Sequence, residues 1–523
     1  MKPLDCPSDA LPLLACKVAP RQFDLSYRFS SISLRDQIVR AQTLIRALFE
    51  QGLVARKNDE TDSNFQLLIV GAGAAGLAAA KEASACGLSF VIIEKSENAP
   101  GGVLRSKAQR YVSTAMYEWP HPNHTQHAFP LASPNLLGNM RAPSLELTIE
   151  KPLTVQDFGK VLTRALAPSL IDWTENGKQL LTTKNLSSRE IFFANTSLAE
   201  QTKGELLDTL AGHISIHGIP LNDTNLPEVV LEIAGLQADP FKFEYIIYAV
   251  GFGTETREYA EDKVPYDDYE HVSFWEPDLI LDDNLGFCKP PAVGILGSGD
   301  GALQDALRCL VAPEWPHPLA IWDEILAHKQ GSRPPLKHSR HIDKALAKVG
   351  AADGYTMGGA IWTSGKHIFE SLDQVFKDIV SELVKIEGYR LRRAIRSMLR
   401  KDVKKVTIVT LKGHFTKAYA LNRFLVHLFH KILEPRGKNS QFEILSGEVR
   451  SFGKIDGNNR GAELEISQLG APVSTRTCDL ALIRGGIDTT TAPTQLVGLT
   501  GIDTGRAELG RIPPAIRSIG EQH

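Results

Sequence analysis

Six cysteines are scattered along the chain, at Cys6, Cys16, Cys86, Cys288, Cys309 and Cys478, and no two of them form a CxxC pair. That spacing excludes both a zinc ribbon and a vicinal redox disulfide, so the thiols are expected to stay reduced. Long apolar runs are also missing, and none reaches the ~20 residues that a membrane-spanning helix needs. The apolar stretch 11–19 is broken by Lys17 and preceded by Asp5 and Asp9, poor material for a secretory signal, so the cytoplasm is the expected compartment. A strong charge of either sign is absent too. With 58 basic and 61 acidic residues the net charge is -3, which gives no overall attraction to nucleic acid or to an anionic membrane. What is present is a 523-residue chain with 43% hydrophobic residues, long enough for two or three domains that each bury a core.

The densest signal runs from Phe65 to Leu104. Leu67–Val70 reads as a buried strand, Gly71, Gly73 and Gly76 form GxGxxG, Leu77–Cys86 reads as a helix, and Phe90–Ile93 is a second strand ending at Glu94. Each glycine has its own reason. Gly71 permits a tight turn, Gly73 lets a pyrophosphate approach the backbone, and Gly76 lets helix and strand pack closely. The helix amino terminus offers unpaired N–H donors to an anion, and Ala74 and Ala75, between the last two glycines, count among the expected cofactor-binding residues. Glu94, with Lys95 beside it, stands where a carboxylate accepts hydrogen bonds from ribose hydroxyls. A second, shorter motif follows an apolar strand at 290–296, with Gly297, Gly299 and Ala302 forming GxGxxA, Asp300 inside it, and Leu303–Leu310 continuing as a helix. Two further stretches, EYIIYAVG ending at Gly251 and DLALIRGG ending at Gly486, each join an acidic start, a buried strand and a terminal glycine.

With these four stretches the chain resembles flavoproteins that carry two dinucleotide-binding domains, the superfamily of flavin-containing monooxygenases and pyridine-nucleotide oxidoreductases. The similarity covers about 65–514, with interruptions. It implies that the first fingerprint holds FAD and the second NADPH or NADH. Gly101 and Gly102, leading into Val103 and Leu104, match the family's double glycine after the ribose-binding acid. Glu244, Ala249 and Gly251 match its interdomain joining motif, with Val250 where threonine is usual. Arg484 departs from the pattern, replacing a small residue in the second joining motif. The stretch 496–513 resembles the family's approach to a final FAD-contacting Gly-Asp segment, which the sequence does not show after it. That leaves the FAD site closed by other residues, weak, or absent.

The expected fold is therefore α/β, with two Rossmann-like dinucleotide-binding domains. The division is an N-terminal extension over 1–64, an FAD domain over 65–285, an NAD(P) domain over 286–490 and a C-terminal return segment over 491–523. In the extension Leu34, Ile38, Ala41, Ile45 and Leu48 recur at helical spacing, with Ser33 and Asp36 at the start and Gly52 as a stop. That helix is expected to pack on the FAD domain, a homodimer contact being its other use. In the second domain two segments compete to follow the GxGxxA helix: Pro318–Trp322 ending at Asp323, or Val406–Thr410 followed by Lys412. The later one fits the order of the strands that come after it, which makes about 311–405 a largely helical insertion. Lys412 would then favour a ribose 2′-phosphate, hence NADPH, whereas Asp323 would favour NADH.

The insertion carries Lys385, Arg390, Arg392, Arg393, Arg396, Arg400, Lys401, Lys404 and Lys405 against only Glu387 and Asp402. Leu391, Ile395 and Leu399 run through the same segment as a packing stripe, so a solvated helix face is favoured over a nucleic-acid surface. After the double glycine, Tyr117, Trp119 and Phe129 are candidates for an aromatic pocket, and Glu118, His121, His124 and His127 for substrate orientation or proton shuttling. Prolines at 120 and 122 argue against a helix aligning those histidines on a metal, and no metal is expected. No side-chain nucleophile is evident, and flavin redox chemistry needs none, so catalytic residues stay unassigned. The resemblance implies an FAD-dependent NAD(P)H oxidoreductase, in the first place a monooxygenase of a small organic substrate. The missing CxxC argues against disulfide reduction, and the absent FxGxxxHxxxW signature against Baeyer-Villiger oxidation. The competing class is a nucleotide-binding sensor or interaction protein that keeps the fold without turnover.

Overall fold

The computed structural model describes residues 16–19, 21–25, 34–54, 65–97, 100–117, 119–120, 151–166, 190–194, 196–198, 228–229, 231–233, 236–237, 241–251, 254–259, 264–329, 331–357, 367–416, 418–434, 440–468 and 470–488. Glu118, His121, His124, His127 and Phe129 and the stretch 496–513 lie outside them.

The first unit is built on a mostly parallel sheet. Its strands are β1 (Lys17–Ala19), β2 (Gln22–Asp24), β3 (Phe65–Val70), β4 (Phe90–Ile93) and β5 (Glu190–Phe193), then, after a three-stranded meander of β6 (Thr196–Leu198), β7 (Leu231–Ile233) and β8 (Leu236–Gln237), the long β9 (Phe241–Tyr248). Spatially the order is β1-β2-β9-β3-β4-β5. Strands β2, β9, β3, β4 and β5 run parallel, while β1 is antiparallel at the edge. Residues such as Leu67, Leu68, Ile69, Val91, Ile92 and Ile247 are fully buried, as expected for strands covered on both faces. Helix α1 (Leu34–Glu50) and helix α2 (Ala74–Cys86) lie on one face, joined by α3 (Val155–Leu166). The alanines at 78, 79, 80 and 83 are fully buried, and their small side chains let α2 sit close to the strands. All five members of the α1 stripe are buried in the same core, and Gly52 (φ 66°) ends the segment.

The second unit repeats the plan. Strand β10 (Ala292–Leu296) leads into α4 (Asp300–Leu310), and β11 (Lys405–Thr410), β12 (Phe442–Ser446), an antiparallel meander β13 (Glu448–Ile455), β14 (Asn458–Ser467) and β15 (Ser474–Cys478), and β16 (Leu480–Ile483) follow. The sheet order β12-β11-β10-β16 is the same 3-2-1-4 arrangement as β5-β4-β3-β9 in the first unit. Between α4 and β11 stand α5 (Pro318–Ala327), α6 (Arg340–Met357) and the long α7 (His367–Met398); α8 (Ala420–Leu433) connects β11 to β12. Thus 318–327 is helical and 405–410 is the strand beside β10, with Val293 opposite Val406 and Leu296 opposite Val409.

Buried charge fixes the helical insertion to the second sheet. Asp373 on α7 accepts from Arg423 at 2.7 Å and faces His427 Nε2 at 2.8 Å, both on α8. Burial by itself would raise the Asp373 carboxyl, but the His427 hydrogen bond and the nearby cations hold it far below the usual carboxylate range. Two members of the basic run are likewise structural. Arg390 is buried on Glu387 and Pro334 O, and Arg400 on Asp402 and the carbonyls of Ile280 and Asp282. Lys385, Arg393, Arg396, Lys401 and Lys404 remain exposed.

Candidate functional site

Both glycine motifs sit at the point where each sheet reverses its strand order. In the first unit Gly71 N–H donates to Ile93 O (2.7 Å) and Ala249 N–H to Val70 O (2.8 Å). In the second, Gly297 N–H donates to Val409 O (3.1 Å) and Arg484 N–H to Leu296 O (2.7 Å). The two crevices are therefore built alike, and Arg484 occupies the place that Ala249 holds in the first. In open α/β sheets a ligand binds at this place, outside the carboxyl ends of the strands.

Packing explains two of the three glycines in the first motif. Gly71 has φ 103°, and a Cβ there would lie 2.6 Å from Ala249 O; a Cβ on Gly76 would overlap Gly71 O. Gly73 is different. Its φ of -76° suits any residue, and the nearest heavy atom to an added Cβ is Gly101 O at 3.9 Å. Nothing within the described residues requires a glycine at 73; a ligand approaching the backbone would. Helix α2 begins at Ala74 without a side-chain cap, so its first N–H groups face that same opening. Helix α4 begins in the same way after Gly299 (φ -91°), with no side-chain cap. The residues present thus fit a pyrophosphate in the first crevice.

The carboxylate expected to meet a ribose has prior partners. Glu94 is buried and accepts from Ala72 N–H (2.8 Å), from Ser96 N–H (3.1 Å) and from the Ser96 hydroxyl. Gly101 packs directly against it, since a Cβ there would overlap the carboxylate, and Gly101 N–H donates to Ala72 O (2.8 Å). Glu94 therefore pins the double-glycine turn to the Gly71 loop. Lys95 is exposed, Gly102 is exposed with φ 59°, and Leu104 is a core residue. Asp300 is engaged as well. Its carboxylate accepts from Tyr419 N–H (2.9 Å), Asn422 Nδ2 (2.7 Å) and Gln304 Nε2 (2.8 Å), and burial raises its pKa despite them. It ties the start of α8 to the glycine turn, and Thr416 N–H donates to Ser298 O (2.8 Å) beside it. Lys412 is exposed in the loop after β11. Gly251 is exposed beyond β9, and Ala302 is fully buried against the second sheet.

Sequence reasoning missed a charge cluster where the two units meet. Asp305 on α4 is fully buried and pairs with Arg110, with Arg308 (3.2 Å) and with Arg484 Nε (2.7 Å). Asp278 accepts from Arg110 (3.0 Å) and Arg308 (2.8 Å). Arg110 also donates to Phe274 O (2.8 Å) and lies over the Phe274 ring. Burial alone would raise the Asp305 carboxyl; Arg110, Arg484 and Arg308 instead hold it far below the carboxylate range. Burial lowers Arg110 and raises Glu255, which faces Arg484 at 3.6 Å. The signal was a polar pair, Asp305 and Arg308, interrupting the apolar face of α4. The segment after the double glycine also behaves unexpectedly: Trp119 packs on Trp322 (5.5 Å) and Phe424 (5.3 Å), inside the core of the second unit.

Residues 69–136 match the family model described as an NAD(P)-binding Rossmann-like domain. The first unit is Rossmann-like. No curated protein matches the chain. Among solved structures the chain is similar to T. acidophilum thioredoxin reductase (12% identity, 82% of this chain and 80% of that chain, TM-score 0.34). It is also similar to the bacillithiol disulfide reductase Bdr of Staphylococcus aureus (11%, 81% and 76%, 0.35) and to the open form of cyclohexanone monooxygenase (11%, 83% and 75%, 0.36). At these identities and scores the structural matches carry nothing about chemistry. Among the described residues no helix is long and apolar enough to cross a membrane, and no group of histidine, cysteine and carboxylate side chains is arranged to hold a metal.

Proposed function

We propose that the protein is an FAD-dependent NAD(P)H oxidoreductase, with FAD at Gly71, Gly73 and Gly76 and the nicotinamide nucleotide at Gly297, Gly299 and Ala302. The observation that carries this reading is the duplicated switch-point geometry, joined to a Gly73 that the fold itself does not require. The flavin would supply two-electron chemistry, accepting hydride and passing electrons to an acceptor. The chain's own residues would bind and orient. The α2 and α4 amino ends would hold the pyrophosphates, and the double glycine braced by Glu94 would shape the flavin side. The charge cluster around Asp305 would set the position of one unit against the other. A monooxygenase acting on a small organic substrate is the favoured branch, because the sequence offers no CxxC for dithiol exchange.

Replacing Gly73 with valine tests the reading most simply. The branched side chain would stand where the pyrophosphate meets the backbone, while the protein around it leaves room. Flavin content of the purified protein should collapse with the far-ultraviolet circular dichroism unchanged. Equal flavin occupancy in both proteins would remove the assignment.

A second reading is favoured by Asp300 and Arg484, which place a committed carboxylate and a buried guanidinium at the second crevice. On it the second unit is structural, and the protein is a nucleotide-binding sensor or interaction protein. Binding of FAD without any response to NADPH or NADH is its signature.

A further inference from the structure

The two Rossmann-like units differ at one sheet edge. Among the described residues β16 has no strand on its outer side, whereas β9, its counterpart, carries β2 there as a parallel neighbour. With β5, β4, β3 and β9 as positions three, two, one and four, β2 fills position five of a doubly wound sheet. Yet it precedes position one in the chain. Its pairing is regular: Gln22, Phe23 and Asp24 stand opposite Ile246, Ile247 and Tyr248. Ile246 N–H donates to Arg21 O and Leu25 N–H to Tyr248 O, each at 2.8 Å.

The register decides where this strand ends. Asp24 is level with Tyr248, and Tyr248 with Val70, the residue before Gly71. The carboxyl end of β2 therefore reaches the same edge as the first glycine turn. From there α1 returns across the sheet face that carries α2. Phe23, Leu25, Ile38, Leu44 and Leu48 share one core with Leu77 and Ala80, and Arg46 pairs with Glu82 of α2. Arg40, buried on α1, donates to Leu25 O (3.1 Å) and locks the end of β2 to the helix. On the other face the buried Tyr248 hydroxyl donates to Gln22 Oε1 (2.8 Å).

We infer that β2 and α1 are the closing βα unit of the first dinucleotide site, supplied from the amino-terminal side in permuted order, and that FAD binding is coupled to them. The inference rests on the proposed FAD site. β2 takes the hydrogen bonds offered by the carboxyl-terminal half of β9 on its outer side. On this inference the N-terminal extension does more than pack on the FAD domain: it is part of the cofactor-binding unit.

Amide hydrogen exchange of the full-length apoprotein, read by mass spectrometry with and without FAD, tests this without altering the chain. At FAD a hundredfold above its Kd, amides that exchange by opening of the bound unit should slow by roughly a hundredfold. The expected result is slowing at 71–77 together with 22–25 and 34–50, and loss of both in Gly73→Val. Slowing at 71–77 with 22–25 and 34–50 unchanged would overturn the inference while leaving the FAD site standing. Slowing of 496–513 in their place would overturn it equally. No slowing anywhere would remove the FAD reading and the inference together.

Discussion

Asp305 shows how much a single side chain can hold. It is fully buried, and three guanidinium groups from three parts of the chain converge on it. Removing one partner from a buried ionic group leaves the others uncompensated, which typically costs about 3–5 kcal/mol. Asp305→Asn should therefore lower the unfolding free energy measured in urea by an amount in that range, and a change under ~1 kcal/mol would show that the cluster is solvated. Lys412 belongs to the same scale but to recognition. If it meets a ribose 2′-phosphate, Lys412→Glu should weaken NADPH roughly ten- to a hundredfold more than NADH, as expected for loss of a charged hydrogen bond. An unchanged NADPH to NADH preference would remove it from the site. Glycine positions were legible in the sequence because the motif spacing marks them, although Ala249, far along the chain, is what closes on Gly71. The Tyr419 and Asn422 partners of Asp300 and the Asp305 partner of Arg484 were not legible, since each lies far along the chain.

At the scale of elements the sequence allowed two choices after α4, and the local pattern could not separate them. Pro318–Trp322 is short and apolar, which suits a buried strand or a buried helix. His317 tips the balance. Its Nδ1 accepts the Ala320 N–H at 3.0 Å as an N-cap, with Pro318 as the first helical residue. The cap needs a neutral ring, and burial lowers the His317 pKa from 6.5 to about 4. Between those values the unfolded chain takes up a proton that the folded ring refuses. The stability contributed by neutral His317 is therefore present above pH 6.5, falls as pH drops through that window, and is gone below about 4. His317→Asn keeps an accepting oxygen and removes the titration, so the drop in unfolding midpoint from neutral to acid pH should be smaller in the variant. An identical drop in the two proteins would show that His317 does not titrate there. The α1 stripe was legible from its period, but β2 was not: three residues, two of them polar, give no strand signal without the edge of β9 to pair with.

The whole molecule is one plan used twice, with a strand order of 3-2-1-4 and a meander before the last strand in each unit. Both halves announced themselves through glycine motifs, and the insertion through its length. How the halves meet was hidden, because the Asp305 cluster and the packing of Trp119 on Trp322 join residues about 180 to 200 positions apart in the sequence. Duplication gives the functional claim its form: two dinucleotides bound by one chain, with electrons passing from the second crevice to the first. Anaerobic titration of the FAD-reconstituted protein with NADPH and NADH, followed by visible absorbance, tests that claim most directly. A nicotinamide nucleotide should bleach the bound flavin, and readmitted oxygen should restore its colour. A flavin that stays oxidised under excess of both nucleotides, or a protein that takes up no FAD, would contradict it.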